Sequence, residues 1–382
     1  MIVHKELHMN EDRKTQWLDL CLGMMCDYFP KGISSQASKE RFSQIIPHAL
    51  EIAEKSAKLF IKREKLISAG NLFSDIGCTY RQMGQYTQAL GPHEKALLIR
   101  EDIYGKLHPD VAMTYHNMGY VYYNLENHAL SLDCYRKALE IHYRMDSGDN
   151  ADTASTYNNI GMVYDRLGDH KKALGYYRKA LELEGQFLNE NHADIARTCN
   201  NIGYFHRELG DHLKALEYYK QALDIKVRSL GEDHPSTGTA YNNLGYIYKS
   251  LNDHEKALEY YQKDLALCRK VYGDEHPDTA ISYNNISGVF RAMDDRQQAL
   301  AHCERALEIK KKVYGEFHPD LAISYNNVGR LYAELGSFPQ ALEYCRIALK
   351  ISLDFYGEEH QYSKHFRQNI AVITNAAAKH TT

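Results

Sequence analysis

Apolar residues near the end of the chain recur with the spacing of one helical face. Between residues 319 and 335 this face carries Tyr325, Val328, Tyr332 and Leu335. A Gly-Ser pair follows and predicts the end of the helix, and a second apolar series predicts another helix from Pro339 onward. No window of the chain alternates between apolar and polar residues as a half-buried strand does. The pattern therefore predicts an all-α chain built from helix pairs, each with a first helix (helix A) and a second (helix B).

The same helix pair recurs with a fixed period of 42 residues. The grid is marked by Tyr115, Tyr157, Cys199, Tyr241, Tyr283 and Tyr325. Two residues after each marker stands an asparagine: Asn117, Asn159, Asn201, Asn243, Asn285 and Asn327. A period of this size predicts a stacked array in which each unit buries its apolar face against its neighbours. Six regular units and a more diverged one before them give seven repeats.

Small residues recur at fixed points of both helices. Helix A carries Gly77, Gly119, Gly161, Gly203, Gly245 and Gly329, and helix B carries Ala180, Ala222, Ala306 and Ala348. Glycine inside a helix costs about 1 kcal/mol relative to alanine. Its recurrence predicts that another helix approaches closely at that point.

The predicted organisation has three parts. Residues 1–66 form a helical lead-in, residues 67–362 the seven repeats, and residues 363–382 a C-terminal capping helix and tail. Within the lead-in we predict a helix around Lys14–Tyr28, a break at Phe29–Gly32 and a second helix beginning near Pro47.

Composition excludes several classes of function. The formal net charge of −4 gives no global basic character for nucleic acid binding. No apolar run approaches the ~20 residues needed to cross a bilayer, and residues 1–17 lack a secretory signal, so we expect a cytoplasmic protein. The eight cysteines have unrelated spacings and indicate free thiols in a reducing compartment.

The repeat motifs resemble a known family. Gly245 to Tyr248 in helix A and the Ala-Leu pairs at 215–216 and 222–223 in helix B look like the tetratricopeptide repeat. The 42-residue length, with Tyr-Asn-Asn and Gly-Glu-x-His-Pro-Asp, resembles the longer variant of kinesin light chains and related bacterial proteins. This resemblance implies a right-handed superhelical solenoid of tetratricopeptide-type helix pairs, with helix A lining the concave face.

A second resemblance covers only about 50 residues of the lead-in. Its order of Trp-Leu, Phe-Pro and Ile-Pro-His-Ala-Leu is similar to the segment that joins the switch module to the repeats in STAND-type NTPases. The chain contains no Gly-x-x-x-x-Gly-Lys-Ser/Thr loop for nucleotide phosphates. A separate chain would have to supply the nucleotide-binding module.

The asparagine series is the main candidate binding feature. Each asparagine lies two residues, or about 200° around the helix, from the grid marker, so it points away from helix B. An amide both donates and accepts hydrogen bonds and can pair with the backbone of an extended peptide. In the resembled family this second Asn of the triplet binds ligand backbone. The alternatives are inherited duplication and a structural bond to a neighbouring helix.

Charged and aromatic residues are expected beside the asparagines. The candidate cations are Arg166, Arg197, Arg207, Lys249, Arg291 and Arg330, and the candidate aromatic contacts are Tyr204 and Tyr246. Guanidinium groups pair well with carboxylates, which favours an acidic peptide. The alternative is a solvated face with scattered charges, and tyrosines at this spacing also suit packing. Kinesin light chains imply a Trp-plus-acidic peptide, but flanking residues differ here, so that ligand preference does not carry over.

Three places depart from the repeat. Asp264 replaces an alanine of helix B, Ser287–Gly288 shifts the helix A glycine by one, and Gly91–Pro92 is expected to kink the first helix B. Such departures mark function or strain, or are tolerated drift with a local bend. Recurrent histidines precede helix A, and their regular placement indicates a structural role.

These features predict a non-catalytic scaffold or adaptor that binds an extended, acidic segment of a partner protein in a concave groove. One alternative is a sensor or regulatory module of a STAND-type NTPase switch, acting with a separate nucleotide-binding chain. Another is a structural solenoid that assembles with itself. No catalytic motif, metal site or cofactor site is recognisable, and we expect no nucleic acid, membrane or small-molecule substrate as partner.

Overall fold

A computed structural model describes residues 11–28, 36–59, 63–145, 148–189 and 192–380. The regular secondary structure of these residues is helical throughout, which confirms the all-α prediction. In chain order the helices are α1 (Glu11–Tyr28), α2 (Gln36–Leu59), α3 (Arg63–Gln82), α4 (Tyr86–Tyr104), α5 (Pro109–Asn124), α6 (His128–Arg144), α7 (Ala151–Arg166), α8 (His170–Phe187), α9 (Ala193–Glu208), α10 (His212–Leu230), α11 (Pro235–Ser250), α12 (His254–Tyr272), α13 (Pro277–Ala292), α14 (Arg296–Tyr314), α15 (Pro319–Glu334), α16 (Phe338–Tyr356) and α17 (Gln361–His380).

From α3 to α16 the odd-numbered helices are helix A and the even-numbered ones helix B of seven packed pairs. The chain divides into two compact units, one with α1–α8 (Met1–Asn189) and one with α9–α17 (Glu190–Thr382). Helix α3 begins at Arg63, four residues before the predicted start of the repeats, and α17 packs on α16 as an eighth helix A would. The limits of the predicted three-part division stay a prediction.

The glycine of helix A faces an aromatic ring of helix B. The pairs are Gly119–Tyr135, Gly161–Tyr177, Gly203–Tyr219 and Gly245–Tyr261. A Cβ atom built on Gly161 would lie 2.7 Å from the Tyr177 ring, closer than carbon atoms approach in proteins. The predicted close approach of the two helices is therefore confirmed.

The recurrent histidines cap the start of helix A. The imidazole Nδ1 of His108, His192, His234, His276 and His318 accepts a hydrogen bond from the backbone N–H two residues later. This satisfies one of the free N–H groups at a helix N-terminus. Several of these rings also stack on the last tyrosine of the preceding helix, as in Tyr314–His318. Their predicted structural role is confirmed.

The lead-in packs on the first repeat through α1 and α2. Leu18, Leu22, Phe42 and Ile46 form one buried cluster with Phe73 of α3. The predicted start of the second helix near Pro47 is wrong, because α2 begins at Gln36 and carries Pro47 inside it. Residues 42, 46, 49 and 53 form one buried helical face, and their burial outweighs the hydrogen bond that proline removes. The predicted break at Phe29–Gly32 lies outside the described residues.

The first helix B continues through the Gly91–Pro92 step, and the predicted kink at this step stays a prediction. Helix α4 runs from Tyr86 to Tyr104 with Pro92 inside it. His93 takes the place of the tyrosine that packs on helix A in the later repeats, since a Cβ on Gly77 would lie 2.6 Å from its ring. Burial, then the positive charges of Arg81 and Arg100, lowers the pKa of His93 to about 4. The imidazole is therefore neutral at neutral pH and packs as an aromatic ring.

Candidate functional site

Three asparagines of the series, Asn159, Asn243 and Asn285, form hydrogen bonds to the preceding repeat. The Nδ2 group of Asn243 donates to Oδ1 of Asn200 at 2.8 Å, and Asn285 donates to Asn242 at 2.7 Å. The acceptor is the residue immediately before the series position, one repeat earlier. The amide of Asn159 meets His116 in the same way at 3.2 Å, and that of Asn369 meets Asn326 at 2.9 Å. This is the structural bond that the sequence analysis held as an alternative to peptide contact.

After forming this bond, each donating amide can still hydrogen-bond to a further partner. It uses one of the two Nδ2 hydrogens and none of the acceptor capacity of Oδ1. Asn117, Asn201, Asn243, Asn285 and Asn327 are half-buried, whereas Asn159 is only 6% exposed. A ligand can reach the half-buried amides, and Asn159 offers it little surface. Peptide contact by the series stays a prediction.

Tyr204 and Tyr246 enclose the guanidinium group of Arg207. Its Cζ lies 4.4 Å from the centroid of Tyr204 and 5.0 Å from that of Tyr246, within the range of cation–π attraction. The guanidinium also pairs with the neighbouring Glu208 at 2.7 Å. Both rings remain partly exposed, at 39% and 45%. The structure thus brings three predicted site residues together, as one cluster on α9 and α11.

A second cluster of predicted residues surrounds Gly288. The side chains of Lys249, Arg291 and Arg330 come from three consecutive helices A, and a Cβ atom on Gly288 would lie 2.8 Å from the ammonium nitrogen of Lys249. A cavity of about 120 Å³ is lined by Ser287, Gly288, Arg291, Asn327 and Arg330, among others. Earlier repeats carry Tyr120, Met162, Tyr204 or Tyr246 at the position of Gly288. The absence of a side chain therefore creates a cavity with cationic walls.

The cations of this cluster differ in their pairing. Arg291 binds the carboxylate of Glu334, with Nε 3.0 Å from Oε1. The described residues contain no ion pair to Lys249 or Arg330. Burial, followed by the positive charge of Arg291, lowers the pKa of Lys249. Lys249 and Arg330 thus have no carboxylate partner among the described residues, although the lowered pKa makes the charged form of Lys249 less favourable.

The remaining predicted cations do not join either cluster. Arg197 forms an ion pair with Asp194 one helical turn earlier, at 2.9 Å. Arg166 donates from Nε to the hydroxyl of Tyr123 at 3.1 Å. Both side chains have partners within this chain that account for their positions. They therefore give less support to peptide binding than the two clusters do.

Sequence reasoning singled out Asp264 without predicting its surroundings. The carboxylate is 6% exposed, and its Oδ2 accepts a hydrogen bond from the hydroxyl of Ser282 at 2.6 Å. Burial raises the pKa of Asp264 to about 6, and the hydrogen bond from Ser282 opposes this shift. The signal that pointed to it was a charge at an alanine position, and the serine that faces it had no such signal.

The described residues show neither a metal site nor a membrane-spanning helix. They hold no group of three or more His, Cys, Asp or Glu side chains arranged to bind a metal ion. None of the described helices is long and apolar enough to cross a membrane.

Comparisons with known proteins agree with the repeat architecture. The tetratricopeptide repeat model matches residues 68–142, 110–184, 194–270, 261–312 and 281–354, and no curated protein matches the sequence. The similar solved structures include a STAND protein with a tetratricopeptide repeat sensor from Pyrococcus horikoshii, with 14% identity over 96% of this chain and a TM-score of 0.62. Our chain spans 56% of that protein.

Two further structures are similar. The apo quorum sensor NprR of B. thuringiensis has 14% identity, with 90% of this chain and 89% of that chain covered and a TM-score of 0.60. Putative kinesin light chain repeats of Podosopora anserina have 20% identity, with 52% and 94% covered and a TM-score of 0.48. The structural likenesses concern the fold, and the matched model extends over most of residues 68–354. The chain belongs to the tetratricopeptide repeat family, as its repeat motifs predicted.

Proposed function

We propose that this protein is a non-catalytic interaction scaffold that binds an extended, acidic segment of a partner protein along the exposed face of its helices A. The observation that carries the proposal is the cavity at Gly288 with Lys249 and Arg330 beside it. Arg330 lines this cavity, whereas Lys249 lines an adjoining cavity that shares Gly288 and Arg291 with it and also contains Glu334. A carboxylate bound at Gly288 would form charge-assisted hydrogen bonds, which are among the strongest in proteins. Micromolar affinity, or about −8 kcal/mol, would be ordinary for such a segment.

The amide series would hold the backbone of the same segment. Asn243 and Asn285 are on helices that flank the cation clusters and retain acceptor capacity after their inter-repeat bonds form. The tyrosines around Arg207 would supply apolar contact surface close by. In this proposal the cations select an acidic ligand, whereas the amides contact its backbone and do not discriminate between side chains.

The test begins with a random decapeptide library selected against the immobilised full chain. We expect the enriched peptides to be rich in Asp and Glu. Their affinity should fall as the salt concentration rises, because the cations are solvent-accessible and salt screens them. Exchanging the acidic residues of a selected peptide for Asn and Gln should weaken binding at least tenfold. Equal affinity of the acidic and amide peptides would overturn the proposal.

Matched variants locate the binding site. The double variant Lys249→Ala/Arg330→Ala should weaken binding at least tenfold, whereas Arg228→Ala/Lys263→Ala removes the same charge from helices B and should not. Gly288→Tyr leaves every charge in place and fills the cavity with the residue of earlier repeats, so it should also abolish binding. Equal loss in the helix B control would show that net charge alone attracts the peptide.

The role of the amides needs a separate control. Asn201→Ala/Asn243→Ala/Asn285→Ala removes the proposed ligand contacts together with inter-repeat bonds. Asn200→Ala/Asn242→Ala removes the acceptors of the bonds from Asn243 and Asn285 but leaves the side-chain amides of Asn243 and Asn285 in place. Loss of affinity in the triple variant alone supports ligand contact, and equal loss in both variants assigns the series to packing.

A second candidate is a regulatory module of a STAND-type switch. It is favoured by the likeness to the STAND protein, which extends over 96% of this chain and so includes most of the lead-in. Nucleotide-sensitive association with a separate NTPase chain, lost on removal of residues 1–59, would support this candidate. Self-association in light scattering, combined with no enriched peptide and no nucleotide-sensitive partner, would exclude both candidates.

A further inference from the structure

One repeat exchanges a pair of buried alanines for a glycine and an aspartate. In the other regular repeats, an alanine of helix A corresponds to an alanine of helix B: Ala112–Ala138, Ala154–Ala180, Ala196–Ala222, Ala280–Ala306 and Ala322–Ala348. Gly238 and Asp264 occupy these two positions. A Cβ atom on Gly238 would lie 3.2 Å from Oδ1 of Asp264 and 3.1 Å from Leu267. The missing methyl group of Gly238 therefore makes room for the carboxylate.

The carboxylate of Asp264 has hydrogen-bond donors but no cation. Oδ2 accepts from the hydroxyl of Ser282 at 2.6 Å, and the thiol of Cys268 lies 3.9 Å from Oδ1. Among the described residues, none of the ion pairs includes Asp264. Burying a carboxylate is costly unless an opposite charge pairs with it. Asp264 is thus a buried carboxylate without a positively charged partner among the described residues.

Asp264 lines a cavity of about 220 Å³ whose walls come from α11, α12 and α13. Its polar lining includes Asp264, Asp278, Asn242 and Thr239, and its lining residues contain no lysine, arginine or histidine. The aromatic ring of Tyr272 forms part of the wall and is 42% exposed. The Tyr272 ring stacks on His276 with 4.6 Å between the ring centroids, and the same imidazole lies 3.7 Å from the carboxylate of Asp278. The lining therefore offers a cation the carboxylate of Asp264, with Asp278 and the Tyr272 ring close by.

We propose that this cavity binds a lysine or arginine side chain of a partner polypeptide, whose ammonium or guanidinium group pairs with Asp264. The site goes beyond the proposed function, because it would bind a cationic side chain, whereas the proposed function is to bind an acidic segment. It rests on that function only in taking the cation to be part of a polypeptide. A charge-assisted hydrogen bond to Oδ1 and attraction to the Tyr272 ring would hold the cation, and Ser282 would keep the carboxylate in place.

The test uses the full chain with selectively labelled Leu and Ile methyl groups, because Leu267 and Ile281 both line the cavity. The probes are N-acetyl-lysine N-methylamide and N-acetyl-arginine N-methylamide, with N-acetyl-norleucine N-methylamide as the uncharged control. We expect saturable shifts of the two methyl signals with the cationic probes, at roughly millimolar dissociation constants. The norleucine probe should bind at least tenfold more weakly.

Two variants decide between a cation site and a purely structural carboxylate. Asp264→Asn keeps the shape of the side chain and should weaken the cationic probes at least tenfold. Gly238→Ala/Asp264→Ala restores the pair found in the other repeats and should fold while losing the site. Undiminished binding to Asp264→Asn, or equal shifts with norleucine, would overturn the proposal. Because the probes require no partner protein, this result is independent of acidic-peptide binding.

Discussion

The side-chain amide of Asn285 donates a hydrogen bond to the side-chain oxygen of Asn242, one repeat earlier, at 2.7 Å. The same direction holds for Asn243 to Asn200 and for Asn369 to Asn326. Asparagine is a poor residue for a helix interior, because its side chain competes for backbone groups. Its recurrence is explained at least in part by this link, whatever the series also binds.

We predict that Asn285→Ala destabilises the protein by about 1 kcal/mol relative to Asn327→Ala. Both substitutions gain the same helix propensity, but only the first breaks an inter-repeat bond found among the described residues, and such a bond contributes about 1 kcal/mol. Urea denaturation followed by circular dichroism measures the difference. Equal stability of the two variants would show that the amide link contributes nothing net.

The close packing at Gly161 predicts opposite effects for two glycine substitutions in one helix pair. Gly161→Ala places a methyl group 2.7 Å from the Tyr177 ring and should cost about 2 kcal/mol. Gly175→Ala, on α8, has no atom within 4 Å of the new Cβ and should stabilise the protein by roughly 0.5–1 kcal/mol. Thermal unfolding of both variants gives the comparison. A neutral Gly161→Ala would mean that the two helices separate easily.

The raised pKa of Asp264 predicts a stability that depends on pH. The carboxyl group has a pKa of about 6 in the folded protein against 3.8 as its ordinary value, so the folded state binds more protons between these limits. The contribution of Asp264 to stability therefore falls as pH rises from about 4 to 6, by about 3 kcal/mol in total. Asp264→Asn should lack this loss. Denaturation of both proteins at pH 4, 5, 6 and 7 tests it, and parallel curves would contradict the assignment.

The capping histidines predict a substitution pattern at helix starts. His318→Ala removes the acceptor for the backbone N–H of Asp320 and should cost about 1 kcal/mol, whereas His318→Asn supplies a new acceptor and should restore much of it. Hydrogen exchange in the first turn of α15 reports the loss locally. If alanine and asparagine behave alike, stacking on Tyr314 is the main contribution of this histidine.

The repeat period was sufficient to predict the fold, because one motif fixes both helices and their close contact at glycine. The lead-in was harder, since Pro47 indicates a helix start and only tertiary burial of Phe42 and Ile46 shows that the helix begins earlier. The inter-repeat amide bonds were foreseen only as an alternative. A second asparagine recurs in the sequence at 158, 200, 242, 284 and 326, and three of these positions, 200, 242 and 326, are the acceptors.

Side-chain pairing limited what could be predicted of the site. From the sequence we predicted Arg207, Arg291 and Arg197 as cations for an acidic peptide. In the structure each of them pairs with a carboxylate of this chain. The partners of Arg207 and Arg291 lie on the same exposed face, and their distances depend on rotamers that no periodicity encodes. Of the exchange at Gly238 and Asp264, only Asp264 was recognised from the sequence, because a charge at an alanine position is conspicuous and a glycine is not.

The amide link has a consequence for how such a chain changes length. The repeat of α11 and α12 accepts this bond through Asn242 from the repeat after it and donates it through Asn243 to the repeat before it. The same pair of asparagines therefore stands at both joints of this repeat, and excising or duplicating the repeat would again place an asparagine donor opposite an asparagine acceptor. A gene for this protein could gain or lose repeats in single steps and still encode a chain that stacks.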